Sequence, residues 1–536
     1  MNSLYELPER RRRSSARLMV LMVSTVLLWV AAIALILMAC AIPASWVSAV
    51  REPQREPTPA SIFDTTFAPE TDMTGQNLPP LTAVPVLPFP TTAPAALPGN
   101  TQSTDVDVIP PATNLNPDAT IEEEAAPTAN PVAEVHSNES VADAPPPIQT
   151  GLLVDTQPID SYNQDTINEL SRNFYKDAPS YPARYGVDRV QVRFQTLNRY
   201  HTLTTIRAEL FIPRVDTPTE FPLFVYGSGT TGIGNSCAPL DELTRGRNWG
   251  SYRTHMLSYA AQGYIAILPL WQGYDELTET HPYFVAELEG PVMLDATRAV
   301  YHFFAANPAP QARPAAAVFF GGYSQGGHGA FAADAIAAAY APELPIKGVI
   351  GHATAPSVEA LLREAPSLAP YIVYAYRNYY GPDVIDPVRV FQERWLPTFY
   401  NDASTKCVDE IYDYYNGGQA NIYQPSFSNS LYGGQLGFNF PYFKQALDQN
   451  NAARVVNPHT PALLLHGSAD PIVTTQTNEQ FMRAICKRGK SVTYYLYNNV
   501  HHFQTRQYSF VDTLQWMQAI LAGTPVRSDC AVVLGQ

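Results

Sequence analysis

The chain has 536 residues and a formal net charge of -15 at pH 7, with charged residues making up 15% of the sequence. Nucleic-acid binding needs clustered Lys and Arg to neutralise phosphates, and this charge balance therefore argues against a nucleic-acid partner. The one dense basic run, residues 10–13 with Arg17, directly precedes an apolar stretch, and that position points to membrane topology.

Residues 18–42 form an uncharged apolar run that is long enough to cross a bilayer as a helix. The positive-inside rule keeps residues 1–17 in the cytoplasm and sends the rest of the chain outside. Two alternatives remain: a cleaved signal peptide with small residues around position 48, and a lipoprotein signal in which Cys40 is lipidated. We expect an uncleaved cell-membrane anchor, since the run exceeds a signal-peptide core. All three readings place the rest of the chain outside the cytoplasm.

Residues 43–150 are rich in Pro, Thr, Ala and acidic residues. Such a composition cannot bury enough apolar surface to offset the entropy lost on ordering. We therefore expect a disordered, extended linker that spaces the folded part from the membrane.

Four cysteines follow this linker: Cys237, Cys407, Cys486 and Cys530. An even number in a part of the chain exposed to oxidising conditions predicts two disulfides, although buried free thiols are the alternative. Four cysteines allow three pairings, and their spacing does not choose among them. No CxxC pair or Cys/His cluster with zinc spacing is present in the sequence, so we expect no structural metal.

From residue 151 onwards, short apolar runs alternate with helical patterns. The predicted strands are 190–197 and 202–212, as a hairpin, then 221–226, 264–270, 315–320, 346–350, 462–465 and 491–497. The predicted helices are 284–306, 326–340, 475–487 and 509–521. Strands separated by helices predict an α/β fold, in which helices cover both faces of a mostly parallel sheet.

Residues 357–456 interrupt this alternation. An insertion of this length is too long to be a structureless loop in a compact domain. We predict a mostly helical cap over the carboxyl edge of the sheet, which is where ligands bind in open α/β sheets. Most of its aromatic residues are expected to form the core of the cap itself.

Residues 322–326 read Gly-Tyr-Ser-Gln-Gly and match the G-x-S-x-G pattern between a predicted strand and a predicted helix. A sharp strand-to-helix turn exposes the serine hydroxyl, and the flanking glycines allow the helix to return close to the strand. A hydroxyl needs an adjacent base to act as a nucleophile. The pattern therefore predicts Ser324 as a catalytic nucleophile.

An acid and then a histidine should follow the serine, each after a strand. Asp470 follows the strand at 462–465, and His501 and His502 follow the strand at 491–497. We predict that Asp470 orients a histidine that serves as the general base. His501 is preferred and His502 is the rival, because the sequence does not say which imidazole faces the site.

Two backbone amides should bind the oxyanion of an acyl-transfer intermediate. Gln325 follows the nucleophile, and the Gly-rich loop 227–232 supplies the second donor, for which we choose Thr230. His328 and His466 are interpreted as packing residues.

These motifs together resemble a known family. Gly229-Thr230-Thr231-Gly232, Cys237-Ala238-Pro239 and the run 322–328 are similar to motifs of the secretory lipase family of α/β-hydrolases. The resemblance spans residues 190 to 536 without the cap. It implies an α/β-hydrolase fold, action on carboxylic esters, and the disulfides Cys237–Cys407 and Cys486–Cys530. Tyr226 departs from the histidine that many relatives have before the oxyanion loop.

We therefore expect a membrane-anchored, extracytoplasmic serine esterase or lipase that acts on a small-molecule or lipid ester. We expect no cofactor, no nucleic acid and no obligate protein partner. The alternatives are a serine peptidase of the same fold and a surface binding protein on a hydrolase scaffold that no longer turns over.

Overall fold

The computed structural model describes residues 149–276 and 279–535. The expected cytoplasmic segment, the expected anchor and nearly all of the expected linker lie outside these residues. Of the helices that the structure describes, none combines the length and the apolar character needed to cross a bilayer.

Nine strands of the described residues form a single sheet in the order β1-β2-β3-β5-β4-β6-β7-β8-β9. The strands are β1 Leu153–Tyr162, β2 Val187–Leu197, β3 Leu203–Pro213, β4 Thr219–Gly227, β5 Ile265–Pro269, β6 Ala312–Tyr323, β7 Ile346–His352, β8 Ala462–Gly467 and β9 Val492–Tyr497. The pairs β1–β2, β2–β3 and β3–β5 are antiparallel, and the remaining pairs are parallel. The prediction of a mostly parallel sheet is confirmed.

The helices of the same residues lie in the connections between strands and after β9. They are α1 Gln164–Tyr175, α2 Tyr252–Ala260, α3 Ala286–Ala306, α4 Gln325–Tyr340, α5 Val358–Glu364, α6 Ala369–Tyr380, α7 Pro387–Val390, α8 Phe399–Thr405, α9 Val408–Tyr414, α10 Gln419–Ile422, α11 Pro425–Tyr432, α12 Leu436–Asn439, α13 Pro441–Gln449, α14 Thr475–Lys487, α15 Thr505–Tyr508, α16 Phe510–Leu521 and α17 Cys530–Leu534.

Helices cover both faces of the sheet, and β7 shows this directly. Gly348 lies against the indole of Trp516 from α16, whereas Gly351 lies against the ring of Phe331 from α4. Side chains three residues apart on a strand point to opposite faces, so α16 and α4 belong to opposite layers. The central strands are apolar on both faces for this reason, and β5 is buried along its whole length.

The segment between β7 and β8 is helical, as predicted, and contains α5 to α13. We call it the helical insertion. Many of its aromatic side chains are buried within it, including Tyr376, Phe399 and Phe427. The disulfide Cys237–Cys407 joins it to the loop that follows β4, and Cys486–Cys530 joins α14 to α17. Both pairings implied by the family resemblance are therefore present, and both fit folding in an oxidising compartment.

Candidate active site

Ser324 occupies the sharp turn between β6 and α4. Its φ of 54° and ψ of -114° lie in a region that side-chain-bearing residues rarely adopt. A Cβ on Gly322 would strike the backbone of Gly326, and a Cβ on Gly326 would strike the carbonyl of Gly227. Glycine is therefore required at both positions if the helix is to return so close to the strands. The turn holds the serine at the carboxyl end of the sheet.

Two hydrogen bonds fix the backbone of this turn. The Ser324 amide donates to the carbonyl of His352 at the end of β7 (2.9 Å), and its carbonyl accepts from the Ala355 amide (3.2 Å). The strained conformation is thus supported by the neighbouring strand and the residues that follow it.

Asp470 and His502 meet on the loops after β8 and β9. Asp470 Oδ2 lies 2.6 Å from His502 Nδ1. Because an ionised carboxylate can only accept, Nδ1 carries the proton and Nε2 is left as an acceptor. The other carboxylate oxygen accepts from the amides of Ile472 (2.8 Å) and Val473 (3.0 Å), which fix its orientation.

The Asp470 carboxyl group stays ionised although it is buried. Burial alone would raise its pKa, but the charge and hydrogen bond of His502, with smaller help from His466 and the Val473 amide, bring that pKa below the usual 3.8. The pair is therefore a carboxylate that orients an imidazole, which is the arrangement a general base needs.

This geometry favours His502 over His501, the residue that was preferred from the sequence. The side chain of His501 is exposed, and its amide donates to Gln504 Oε1 (3.1 Å) in the turn that leads into α15. His502 is 4% exposed, and its ring centroid lies 5.0 Å from that of Tyr323, the residue before the candidate nucleophile. Two successive residues of a turn point in different directions, and the sequence does not reveal which of them faces inward.

The loop after β4 lies beside the serine turn because β4 and β6 are paired, with Gly227 opposite Gly322. Gly229 is so close to the backbone and ring of Tyr323 that a Cβ would not fit. The amide of Gly229 donates to the hydroxyl of Tyr252 (2.9 Å). The two expected oxyanion donors are Thr230 in this loop and Gln325 at the first position of α4. They therefore belong to two turns that lie side by side in space.

The helical insertion contacts the same loop. The amide of Val408, the first residue of α9, donates to the carbonyl of Thr231 (2.9 Å). The disulfide from Cys237 enters the insertion one residue earlier, at Cys407. One helix of the insertion therefore begins directly against the candidate oxyanion loop, at the carboxyl edge of the sheet.

A buried polar cluster behind the serine turn was not found from the sequence. The side-chain nitrogen of Gln325 contacts His281 Nε2 (2.5 Å) and donates to Glu289 Oε1 (2.8 Å), and His328 Nδ1 lies 2.5 Å from Glu289 Oε2. His328 is buried, as its interpretation as a packing residue requires, but it also contacts this carboxylate. The available signal was an acidic residue at 289 next to the apolar run 290–294 of the same helix.

His466 is likewise buried. Its Nε2 lies 3.0 Å from the carbonyl of Val473, and burial lowers the pKa of this imidazole to about 4. It remains neutral beside the loop that carries Asp470, which fits its interpretation as a packing residue.

This sheet order, with a strained serine turn after β6 and polar loops after β8 and β9, defines the α/β-hydrolase class. Solved structures support the fold. A ligand-bound rice cell wall degrading esterase, LipA from Xanthomonas oryzae, superposes with a TM-score of 0.56 at 20% identity, covering 69% of this chain and 97% of that chain. Lipase A from Candida antarctica gives a TM-score of 0.54 at 18% identity, covering 72% and 84%.

The model of the secretory lipase family matches residues 252–529, which is more than half of the chain. The chain therefore belongs to the secretory lipase family, and it is a carboxylic ester hydrolase. No match was found among curated proteins. The resemblance read from the sequence is confirmed at the level of the family.

Proposed function

We propose that this protein is a serine esterase or lipase that forms an acyl-enzyme on Ser324, with His502 as the general base and Asp470 orienting it. The observation that carries the proposal is the hydrogen bond of 2.6 Å between Asp470 Oδ2 and His502 Nδ1. It lies at the same edge of the sheet as the strained Ser324 turn. A carboxylate and an imidazole arranged in this way leave Nε2 free to accept a proton.

In the first half of the reaction, His502 Nε2 takes the Ser324 proton while Oγ attacks the ester carbonyl carbon. The carbonyl electron pair moves onto its oxygen and gives a tetrahedral oxyanion. Collapse of this intermediate breaks the bond to the alcohol oxygen, which leaves with the proton from Nε2. In the second half, water gives its proton to Nε2 and attacks the acyl group. Ser324 then leaves with that proton and the carboxylic acid is released.

The backbone amides of Gln325 and Thr230 are the proposed donors to the oxyanion. Gln325 begins α4, where the amide groups of a helix N-terminus favour negative charge. The glycines around Thr230 allow its backbone to approach a tetrahedral centre. Loss of one donor of this kind costs roughly 10²- to 10³-fold in rate.

We also propose that the catalytic part is held outside the cytoplasm by residues 18–42. The anchor is supported by the sequence alone, through the apolar run and the arginines that precede it. The location outside the cytoplasm is supported also by the two disulfides of the folded part. Lipidation at Cys40 and release of the folded part as a secreted protein are the alternatives, and the mass of the N-terminal peptide from the purified native protein distinguishes all three.

The test of the reaction is hydrolysis of p-nitrophenyl esters from acetyl to long-chain acyl, with prolyl and aminoacyl amides alongside. We expect ester turnover that falls by at least roughly 10³-fold in Ser324→Ala and in His502→Ala. His501→Ala is the matched control, and it should keep its activity within about twofold because its side chain is exposed.

Three outcomes would contradict the proposal. Equal loss in the two histidine variants would remove the assignment of the base. Cleavage of amides without esters would indicate the peptidase alternative. A folded wild-type chain without turnover on any substrate would favour the non-catalytic binding protein.

A further inference from the structure

Three side chains of the segment 281–289 contact both turns that carry the proposed oxyanion donors. The Tyr283 hydroxyl lies 2.6 Å from Thr230 Oγ1. The Gln325 side chain contacts His281 Nε2 (2.5 Å) and Glu289 Oε1 (2.8 Å). We call His281, Tyr283 and Glu289 the oxyanion clamp. At most 2% of each of these three residues is exposed, which limits the access of water to their contacts.

The hydrogens of the Gln325 amide account for both of its contacts. One N–H reaches Glu289 and the other reaches His281, so His281 Nε2 must accept. Its Nδ1 then carries the proton and donates to the carbonyl of Gln272 (3.1 Å). Burial lowers the pKa of His281 to about 4, which agrees with a neutral ring. The orientation of the Gln325 side chain is therefore fixed by two different partners.

Glu289 is fixed in turn by His328. The carbonyl of Asn450 can only accept, so His328 Nε2, at 2.7 Å from it, carries a hydrogen. The contact of 2.5 Å between His328 Nδ1 and Glu289 Oε2 is a hydrogen bond at the second carboxyl oxygen. Glu289 therefore has a partner for each oxygen, and its carboxyl group cannot turn away from Gln325 without breaking a buried hydrogen bond.

The helical insertion supports the same segment. Asn450 accepts from the amide of Ala286 (2.9 Å) and donates to the hydroxyl of Tyr380 in α6 (2.6 Å). The Tyr376 hydroxyl donates to the carbonyl of Phe284 (3.3 Å), whose φ of 57° lies in the left-handed region. The backbone between Tyr283 and Glu289 is thus held from outside the sheet.

We propose that His281, Tyr283 and Glu289 are positioning residues that fix the two halves of the oxyanion hole relative to each other. The inference rests on the proposed function. The pairing of β4 with β6 places the two turns side by side, but the loop that carries Thr230 is rich in glycine, so this pairing alone does not fix the distance between the amides of Thr230 and Gln325. One rigid segment bound to both turns does set it. Such preorganised donors stabilise charge that develops in the transition state and leave ester binding unchanged.

The test is a double-mutant cycle of Tyr283→Phe and Thr230→Val, which removes the hydroxyls and keeps the shapes. Each single variant should lower kcat about tenfold with KM unchanged, and the double variant should lose no more than the single ones. Gln325→Met, which retains the backbone amide, should lower kcat in the same way. A trifluoromethyl ketone, which forms a tetrahedral adduct with serine, should bind more weakly by the same factor as kcat falls.

Tyr423→Phe is the matched control. Its hydroxyl is also buried and donates to a backbone carbonyl, that of Leu362 (2.7 Å), but within the helical insertion. It should lower the urea midpoint as Tyr283→Phe does and keep both kcat and the affinity for the ketone.

The inference is overturned if Tyr283→Phe and Gln325→Met match this control, with reduced stability but full kcat and full affinity for the ketone. That result leaves the proposed function intact as long as Ser324→Ala abolishes turnover. A wild-type chain whose turnover does not depend on Ser324 overturns the proposed function and the clamp together.

Discussion

The disulfide Cys237–Cys407 should support both stability and activity, because it joins the candidate oxyanion loop to the helical insertion. The perturbation is replacement of both cysteines by serine. The bond closes a loop of 170 residues, and the loop-closure relation gives about 5 kcal/mol of stabilisation through the unfolded chain. The second bond, Cys486–Cys530, closes 44 residues, for which the same relation gives about 4 kcal/mol.

The two bonds differ in what they join. In the first, Gly232 of the oxyanion loop packs against the side chain of Cys237 and the backbone of Cys407, next to the hydrogen bond between the Val408 amide and the carbonyl of Thr231. The second joins α14 to α17, away from the turns that carry the candidate site. We therefore expect comparable losses of stability for the two double variants, and a loss of kcat of about tenfold for the first variant alone.

The assay has two parts. Urea unfolding at 25 °C gives the free energy of unfolding, and kcat on a p-nitrophenyl ester is measured at a temperature where both variants are folded. The reasoning is refuted if the Cys237/Cys407 variant keeps full kcat, or if the Cys486/Cys530 variant loses as much activity.

Three further predictions address the site and its surroundings. Gly326→Ala forces a Cβ onto the carbonyl of Gly227, and kcat should fall at least about 100-fold, while circular dichroism reports whether the fold persists. Asp470→Asn cannot hold His502 in the tautomer that accepts from serine, so kcat should fall roughly 10³- to 10⁴-fold with little change in KM; a loss below tenfold would contradict the role of the carboxylate. Burial lowers the pKa of His352 from 6.5 to about 3. As the pH falls, the unfolded chain therefore binds a proton at this imidazole before the folded chain does. The free energy of unfolding is highest above about pH 6.5 and declines by up to about 5 kcal/mol towards pH 3. His352→Leu should flatten that decline in urea titrations between pH 7 and 4, and an unchanged slope would count against the assignment.

The strands of the core were predictable because a strand that is buried on both faces consists of a continuous run of apolar residues. The run at 264–270 became β5, and the run at 221–226 became β4. The antiparallel edge strand β1 was missed, since its sequence is polar and eight of its ten residues are exposed. Pairing with β2, which the local sequence does not encode, makes it a strand.

The candidate site was predictable to the extent that each residue follows a strand. Ser324 and Asp470 could be located in this way because a pattern or a strand end marks each position. The choice between His501 and His502 could not be made, because it depends on the direction of the chain within one turn. The oxyanion clamp could not be found either. Its contacts join the segment 281–289 to positions 230 and 325, which only the folded sheet brings together.

The central claim is that Ser324 is an activated nucleophile, and covalent labelling tests it most directly. The folded protein is treated with a fluorophosphonate probe and digested, and the modified residue is located by peptide mass spectrometry. We predict one adduct, on the peptide that contains Ser324, at a rate that falls sharply in His502→Ala. An adduct on another residue, or equal labelling of the wild type and Ser324→Ala, would contradict the account.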